Sequence, residues 1–356
     1  MLQKIVKTQT KTWTWGASTT VSQDIQASGA ITRLVFRMAI TGSGSLAAAN
    51  QPDAFYRVID SLNIKGAGGV HYYSAGSEQI GRLIHLLNRL DNLVKGVTTT
   101  IVATTNQVIF TIHFGSRPQD IFGRDNPFDL TAFIPAFNDT QLVGEWLTTA
   151  NTCLDDTVTL SSGTGRLTIY EVLGTAQELK AEMMRQGVFV PDGYDFMCPK
   201  SSYKKHVHPS DMSDLSELIN IPVGAFLRRI GMLVQDETSA RPVRKNDEVT
   251  RVGIILPVGN QRIVDVDFVT MTNIQQVDQG LLVADSAMTG IPGLAIGEGF
   301  YVPDLRELGS TPFSSDYGMD LRGYKVGDVL LGLTIENYTS GDDTLIWWDQ
   351  LLPTML

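Results

Sequence analysis

The sequence predicts an all-β protein made of two tandem antiparallel sandwiches or barrels with a few short helices, and three observations predict it. Short apolar–polar alternations bounded by Gly, Pro, Asn and Ser recur along most of the chain, as half-buried strands require. The length, 356 residues, exceeds what a single core comfortably fills. Local patterns also return in the same order. Arg57-Val58-Ile59-Asp60-Ser61 is echoed by Arg251-Val252-Gly253-Ile254-Ile255, an offset of 194 (251 − 57). Gly29-Ala30-Ile31-Thr32-Arg33 is echoed by Gly224-Ala225-Phe226-Leu227-Arg228, an offset of 195 (224 − 29). Leu167-Thr168-Ile169-Tyr170-Glu171 is echoed by Leu345-Ile346-Trp347-Trp348-Asp349, an offset of 178 (345 − 167). Ordered echoes at near-constant spacing, with one deletion of about sixteen residues, mark a duplicated domain.

The elements follow in order. Residues 4–15 read as a strand, basic through Lys4, Lys7 and Lys11, with Trp13 and Trp15 on one side. In residues 31–40, Leu34, Phe36, Met38 and Ile40 share a core face, with Arg33 and Arg37 on the other. Residues 41–52 are small and polar, a surface loop. Residues 55–64 read as a strand ended by Gly66-Ala67-Gly68-Gly69, and residues 70–73 as its partner. Ser77 and Glu78 open a helix with Ile80, Leu83, Ile84, Leu87, Leu90 and Val94 at three- and four-residue spacing, closed by Lys95 and Gly96. Strands at 98–104 and 107–114 follow, the latter with Val108, Phe110, Ile112 and Phe114 on one face. Residues 115–138 form a long irregular loop with three prolines, Pro118, Pro127 and Pro135. Strands at 142–147, 157–160 and 166–173 finish the half, the last two joined by Ser161-Ser162-Gly163-Thr164-Gly165.

Thr175 and Glu178 make a capping box for a helix that stops at Gly187, and residues 188–213, lacking periodicity, read as a linker. The expected division is therefore residues 1–174, a connecting helix and linker at 175–213, and residues 214–356. The second half repeats the theme, with strands at 226–234, 249–256 and 263–269, a short helical stretch at 273–279 and a long glycine-rich segment at 280–325. Val329, Leu331, Leu333 and Ile335 share one strand face, and residues 338–343 turn the chain back into a strand at 345–351.

Composition narrows the function. Hydrophobic residues make up 43% and charged residues 19%, the values of a packed protein. A net charge of −10 argues against a sequence-specific grip on nucleic acid, which needs clustered Lys and Arg. Two cysteines, Cys153 and Cys198, make neither a disulfide framework nor a metal set. The N-terminus lacks the apolar core of a secretory signal, and no apolar stretch reaches the length of a membrane span. No cofactor is implied.

Catalytic patterns are weak. His206-Val207-His208 resembles the metal motif of bicupin enzymes, but it falls in the expected linker and no histidine follows to complete the ligands. Ser201-Ser202-Tyr203-Lys204 matches Ser-x-x-Lys without its companion motifs, and Gly341-Asp342-Asp343 reads as a solvated hairpin turn. Gly66-Ala67-Gly68-Gly69 lacks a phosphate-binding fingerprint. Asp265 and Asp267 share a strand face, a solvent-facing pair or a structural cation site. Of Trp347 and Trp348, one faces the core and the other an interface. The pattern is that of a non-enzyme.

Two successive β-domains in one acidic chain, with the paired Gly29/Gly224, Arg57/Arg251 and Leu167/Leu345 regions, resemble the double jelly-roll major capsid proteins of tailless icosahedral viruses of the adenovirus and tectivirus lineage. The resemblance implies two tandem jelly rolls and a homotrimer forming a pseudo-hexagonal block in the virion shell, assembled in the host cytoplasm. Implied partners are neighbouring capsomers, penton and minor capsid proteins, and lipid of an internal viral membrane. On that reading Lys4, Lys7 and Lys11 contact anionic lipid or adjacent subunits, and the long loops form towers or clasps. The alternatives are a bicupin-like metalloenzyme and a carbohydrate-binding or spike-like β protein.

Overall fold

The computed structural model describes residues 2–14, 16, 18–43, 54–76, 80–91, 93, 105–120, 122–138, 141–148, 159–236, 243–245, 247–267, 270–271, 299–306 and 314–355. The strand expected at 98–104 and the helical stretch at 273–279 lie outside them, as do Trp15, Val94 and Cys153.

In the first half the chain runs β1 (Gln3–Thr14), β2 (Thr20–Asp24), β3 (Ala30–Ser43), β4 (Ile59–Lys65), β5 (His71–Gly76), α1 (Gly81–Leu90), β6 (Thr105–His113), β7 (Ile134–Pro135), β8 (Val143–Thr148) and β9 (Thr159–Leu173). These strands form two sheets, ordered β1-β9-β3-β6, with β7 also on β3, and β2-β8-β4-β5. All pairings are antiparallel. α2 (Ala176–Arg185) follows, with Thr175 and Glu178 capping each other reciprocally. The second half runs β10 (Phe196–Val207), β11 (Met212–Asn220), β12 (Phe226–Asp236), β13 (Val243–Arg244), β14 (Val249–Leu256), β15 (Gln261–Asp267), β16 (Phe300–Tyr301), α3 (Ser314–Tyr317), β17 (Met319–Asp320), β18 (Leu330–Ile335) and β19 (Asp342–Thr354). Its sheets are β10-β19-β12-β13, with β16 and β17 also on β12, and β11-β18-β14-β15. The strand order of one half is thus the order of the other.

The alternations point where the sequence predicts. Leu34, Phe36, Met38 and Ile40 of β3 are buried, as are Val108, Phe110 and Ile112 of β6 and Leu331, Leu333 and Ile335 of β18. In α1, Leu83, Ile84, Leu87 and Leu90 are buried against the core. Gly68 and Gly69 take φ of 66° and 79°, which ends β4 as expected.

Several local readings are corrected. Only the second part of residues 55–64 is strand; Ala54–Val58 winds into a 3₁₀ turn before β4. The expected linker at 175–213 carries β10 and the start of β11. Periodicity fails there because β10 is covered on much of both sides, so its Pro and Ser residues face protein as often as its apolar ones do. The glycines at 163 and 165 are no turn: β9 runs through them, and they make room for the Trp13 indole, whose Cζ2 would lie 2.3 Å from a Cβ on Gly163. The loop at 115–138 is exposed around residues 122–125 and anchored on either side of them. It folds back with Leu130, Ala132 and Phe133 buried, and Asp129 anchors it by accepting from the Arg117 (2.7 Å) and Thr131 (3.0 Å) amides.

The duplication is present, but in a different register from the echoes. β3 is bulged against β9 between Ile31 and Arg33, and β12 against β19 between Leu227 and Arg229. β4 is bulged against β8 between Ile59 and Ser61, and β14 against β18 between Val249 and Arg251. β4 and β5 share a third irregularity at Ile64/Lys65, matched by β14 and β15 at Ile254/Ile255. Superposing the bulges sets Arg33 on Arg229 (229 − 33 = 196), Ser61 on Arg251 (251 − 61 = 190) and Tyr170 on Asp349 (349 − 170 = 179). The short strands agree, because β7 pairs at Ala30 and β17 at Phe226, again 196 apart. The sequence echoes are therefore out of step by one, four and one residues. A one-residue slip exchanges the two faces of a strand, so the first and last of these echoes paired inner with outer positions, whereas the four-residue slip displaces the Arg57/Arg251 echo along the strand.

Candidate assembly surfaces and buried charge clusters

The halves are joined by a contact built from one face of the β10-β19-β12 sheet. Trp348 points into the second core, while Trp347 points out of it and packs on Tyr73, ring centroids 5.7 Å apart. One tryptophan thus serves the core and the other an interface, the interface being between halves of one chain. Beside it a Cβ on Gly231 would lie 3.4 Å from Leu87 of α1, and the Ser74 amide donates to Ser201 Oγ at 2.9 Å.

Buried charges lock this contact. Arg228 Nη2 donates to Asp349 Oδ1 at 2.6 Å, and Arg229 Nε to Asp349 Oδ2 at 3.1 Å. Arg229 also donates to both oxygens of Asp91, just past α1, at 2.6 and 2.8 Å. Arg228 reaches the Phe114 carbonyl at 2.8 Å. Burial opposes ionisation of Asp349, but Arg228 and Arg229 outweigh it and hold its carboxyl below the usual range. A second bridge joins Arg117 Nε to Asp316 Oδ1 at 2.9 Å. No spacing rule in the sequence links Asp91 or Asp316 to these arginines, so sequence reasoning passed over them.

The three lysines do not form one patch. Lys4 is exposed and lies 5.4 Å from the Phe128 ring centroid, a cation–π contact. Lys7, on the opposite face of β1, forms an ion pair with fully buried Glu171. Lys11 is exposed on the side of Lys7.

His206 and His208 prove to lie on β10 and just beyond its end. His206 Nε2 lies 2.6 Å from Glu217 Oε1. Buried His208 contacts Glu248 through Nδ1 and Thr344 Oγ1 through Nε2 at 2.8 Å. Burial lowers the imidazole to about 4 and raises the Glu248 carboxyl to about 9, with Asp342 adding to the latter. Both groups are then neutral near pH 7. Asp342 and Asp343 are buried at the start of β19 beside Lys245 (2.7 Å) and Lys205 (3.5 Å), so the turn expected to be solvated is not. Asp265 accepts from Arg251 at 2.6 Å and Asp267 from the Thr270 amide at 2.9 Å, which spends the carboxylates offered as a cation site. Among the described residues no three His, Cys, Asp or Glu side chains group as a metal site.

No protein-family model matches the chain, and no curated protein matches it. Solved structures do. The crystal structure of the major capsid protein of Sulfolobus turreted icosahedral virus matches with a TM-score of 0.68 over 99% of this chain and 97% of that one, at 16% identity. The two-sheet order and the end-to-end match leave one reading of the backbone. The chain has the double jelly-roll fold. The atomic structure of the same virus contains a chain matching this double jelly roll with a TM-score of 0.69 at 17% identity, over 98% and 91% of the two chains. VP54 of PBCV-1, fitted into a reconstruction of the virophage Sputnik, matches at 0.56 and 11% identity, over 99% and 94%. The double jelly roll is thus kept while few side chains are shared.

Proposed function

We propose that this chain is a major capsid protein: a homotrimeric block of pseudo-hexagonal outline that tiles an icosahedral viral shell and resides in the virion. The observation that carries this reading is the end-to-end backbone match to a viral major capsid protein, over 99% of this chain and 97% of that one. The interlocked rolls support it, since a building block must hold its two walls rigidly together. The partners are further copies of itself, penton and minor capsid proteins, and lipid of an internal membrane. Lys4 and Lys11 are the residues assigned to lipid or subunit contacts, Lys7 being engaged by Glu171. The first roll ends with β9, α2 connects, and the second roll starts at β10.

Sedimentation and electron microscopy of the purified protein test the reading. Six-sided three-chain particles are expected, and a monomer at all concentrations would refute it. For the lipid contact, Lys4→Glu with Lys11→Glu is expected to weaken flotation with anionic vesicles by about 2 kcal/mol, roughly 1 kcal/mol per lysine. Unchanged flotation would remove lipid from the partners.

A further inference from the structure

The superposed rolls differ at one place on the edge of the β10-β19 sheet. In the first roll Lys7 of β1 forms an ion pair with buried Glu171 of β9. Aligning the bulges sets Ser202 on Lys7 (202 − 7 = 195) and Gln350 on Glu171 (350 − 171 = 179), so the second roll has neither charge. Each replacement keeps a buried oxygen, Ser202 Oγ and Gln350 Oε1, that has no hydrogen-bond partner among the described residues. A buried polar atom left unpaired costs stability, and the gap marks a place for a group that the chain does not supply.

Beside this gap a cleft of about 640 Å³ opens between the rolls, within the size range of ligand sites. One wall comes from Val70, His71 and Tyr72 at the start of β5, and the other from β10 and β19. Lys200 and Ser202 line the cleft from one face of β10, and Leu352, paired in register with Cys198, continues that face on β19. The lining is chiefly apolar. Val70 is 51% exposed and Leu352 39%, so apolar surface flanks the opening. The polar end is basic. Lys200 is exposed, lies directly opposite Gln350 in the sheet and shares the lining with the His71 imidazole. No carboxylate stands among the described lining residues, in a chain of net charge −10.

We propose that this cleft binds one molecule of a long-chain fatty acid, its carboxylate accepting from Lys200 Nζ and Ser202 Oγ and its alkyl chain lying between Val70, Tyr72 and Leu352. The ligand carboxylate then restores the charge that Gln350 lacks relative to Glu171. A free fatty acid suits the site better than a bilayer, because the cleft is concave, is walled by both rolls and has one basic end, whereas a membrane surface engages an open basic patch. A chain held there touches both rolls at once, so its binding stabilises the contact between them. The site is built by one chain and is independent of the capsid reading.

Displacement of a dansyl-labelled fatty acid by palmitate, below the concentration at which palmitate forms micelles, tests the site. Saturable binding of one palmitate per chain is expected. Hexadecanol, which lacks the charge, should bind roughly tenfold more weakly, and hexadecyltrimethylammonium should not compete. Lys200→Glu and Leu352→Asp, both at solvent-exposed positions, are each expected to weaken palmitate roughly fivefold or more. Lys204→Glu makes the same charge change outside the cleft and is expected to leave binding unaltered. Ser202→Ala separates binding from folding. It removes an unpaired buried hydroxyl, so the ligand-free melting temperature should hold or rise while palmitate affinity falls roughly threefold or more. Palmitate that displaces no probe, equal competition by the quaternary ammonium, or an equal loss in Lys204→Glu would overturn the site. Binding of phosphatidylglycerol vesicles without binding of palmitate would mark a bilayer contact and overturn it too. A protein that binds palmitate as expected yet stays monomeric at all concentrations would support the site and refute the capsid reading.

Discussion

At the scale of single residues, the buried His208–Glu248 contact makes stability depend on pH from both sides. His208 is lowered from its ordinary value to about 4, so between pH 6.5 and 4 the unfolded chain takes up a proton that the folded chain refuses, and stability falls with acid. Glu248 is raised to about 9, so above pH 4.5 the unfolded chain releases a proton that the folded chain keeps, and stability falls with alkali. The pair is most favourable between those limits, at roughly pH 4.5–6.5. Glu248→Gln abolishes the alkaline loss, and melting curves from pH 5 to 9 should show a flatter limb than wild type. An unchanged limb would place the pH dependence elsewhere. Trp13 gives a steric counterpart. Gly163→Ala puts a methyl group into the indole, and the expected loss is about 1–3 kcal/mol by denaturant unfolding.

At the scale of elements, the strands of the second roll's inner wall matter more than their own pairing shows. β12 and β19 hold Arg228, Arg229 and Asp349, whose charges were taken out of water by the first roll. Asp349→Ala leaves two buried guanidinium groups, Arg229 facing Asp91 alone as a carboxylate hydrogen-bond partner and Arg228 held by the Phe114 carbonyl and Ser116 Oγ, and a cost of about 3–5 kcal/mol is expected. Equilibrium denaturation would measure it, and a value under about 1 kcal/mol would show that water enters the site. α1 is the matching element in the first roll. Leu87→Ala removes a side chain that fills the hollow over Gly231, and about 2–5 kcal/mol should be lost.

At the scale of the whole molecule, the fold is a directional unit. One roll presents the β5 side, the other accepts it on a sheet face, and each roll is left with the element its neighbour has used. On the capsid-protein reading proposed above, copies of such a molecule join in a closed ring, the alternative being an open filament. A ring with fixed occupancy predicts that association stops at one size over a wide concentration range, which sedimentation would show. A ladder of growing species would instead indicate a filament.

By itself the sequence determined the all-β class, the buried faces of β3, β6, β18 and α1 and the caps of α2. Each of these depends on neighbours within a few residues, and side-chain alternation or a capping hydroxyl records them locally. Only the tertiary structure decided the register of the duplication, the strand nature of 196–207, the run of β9 through its glycines, and the partners of Arg228 and Arg229. Those depend on contacts between segments more than a hundred residues apart. Where a strand is covered on both faces its alternation disappears, and a bulge that shifts register by one residue leaves no mark in composition.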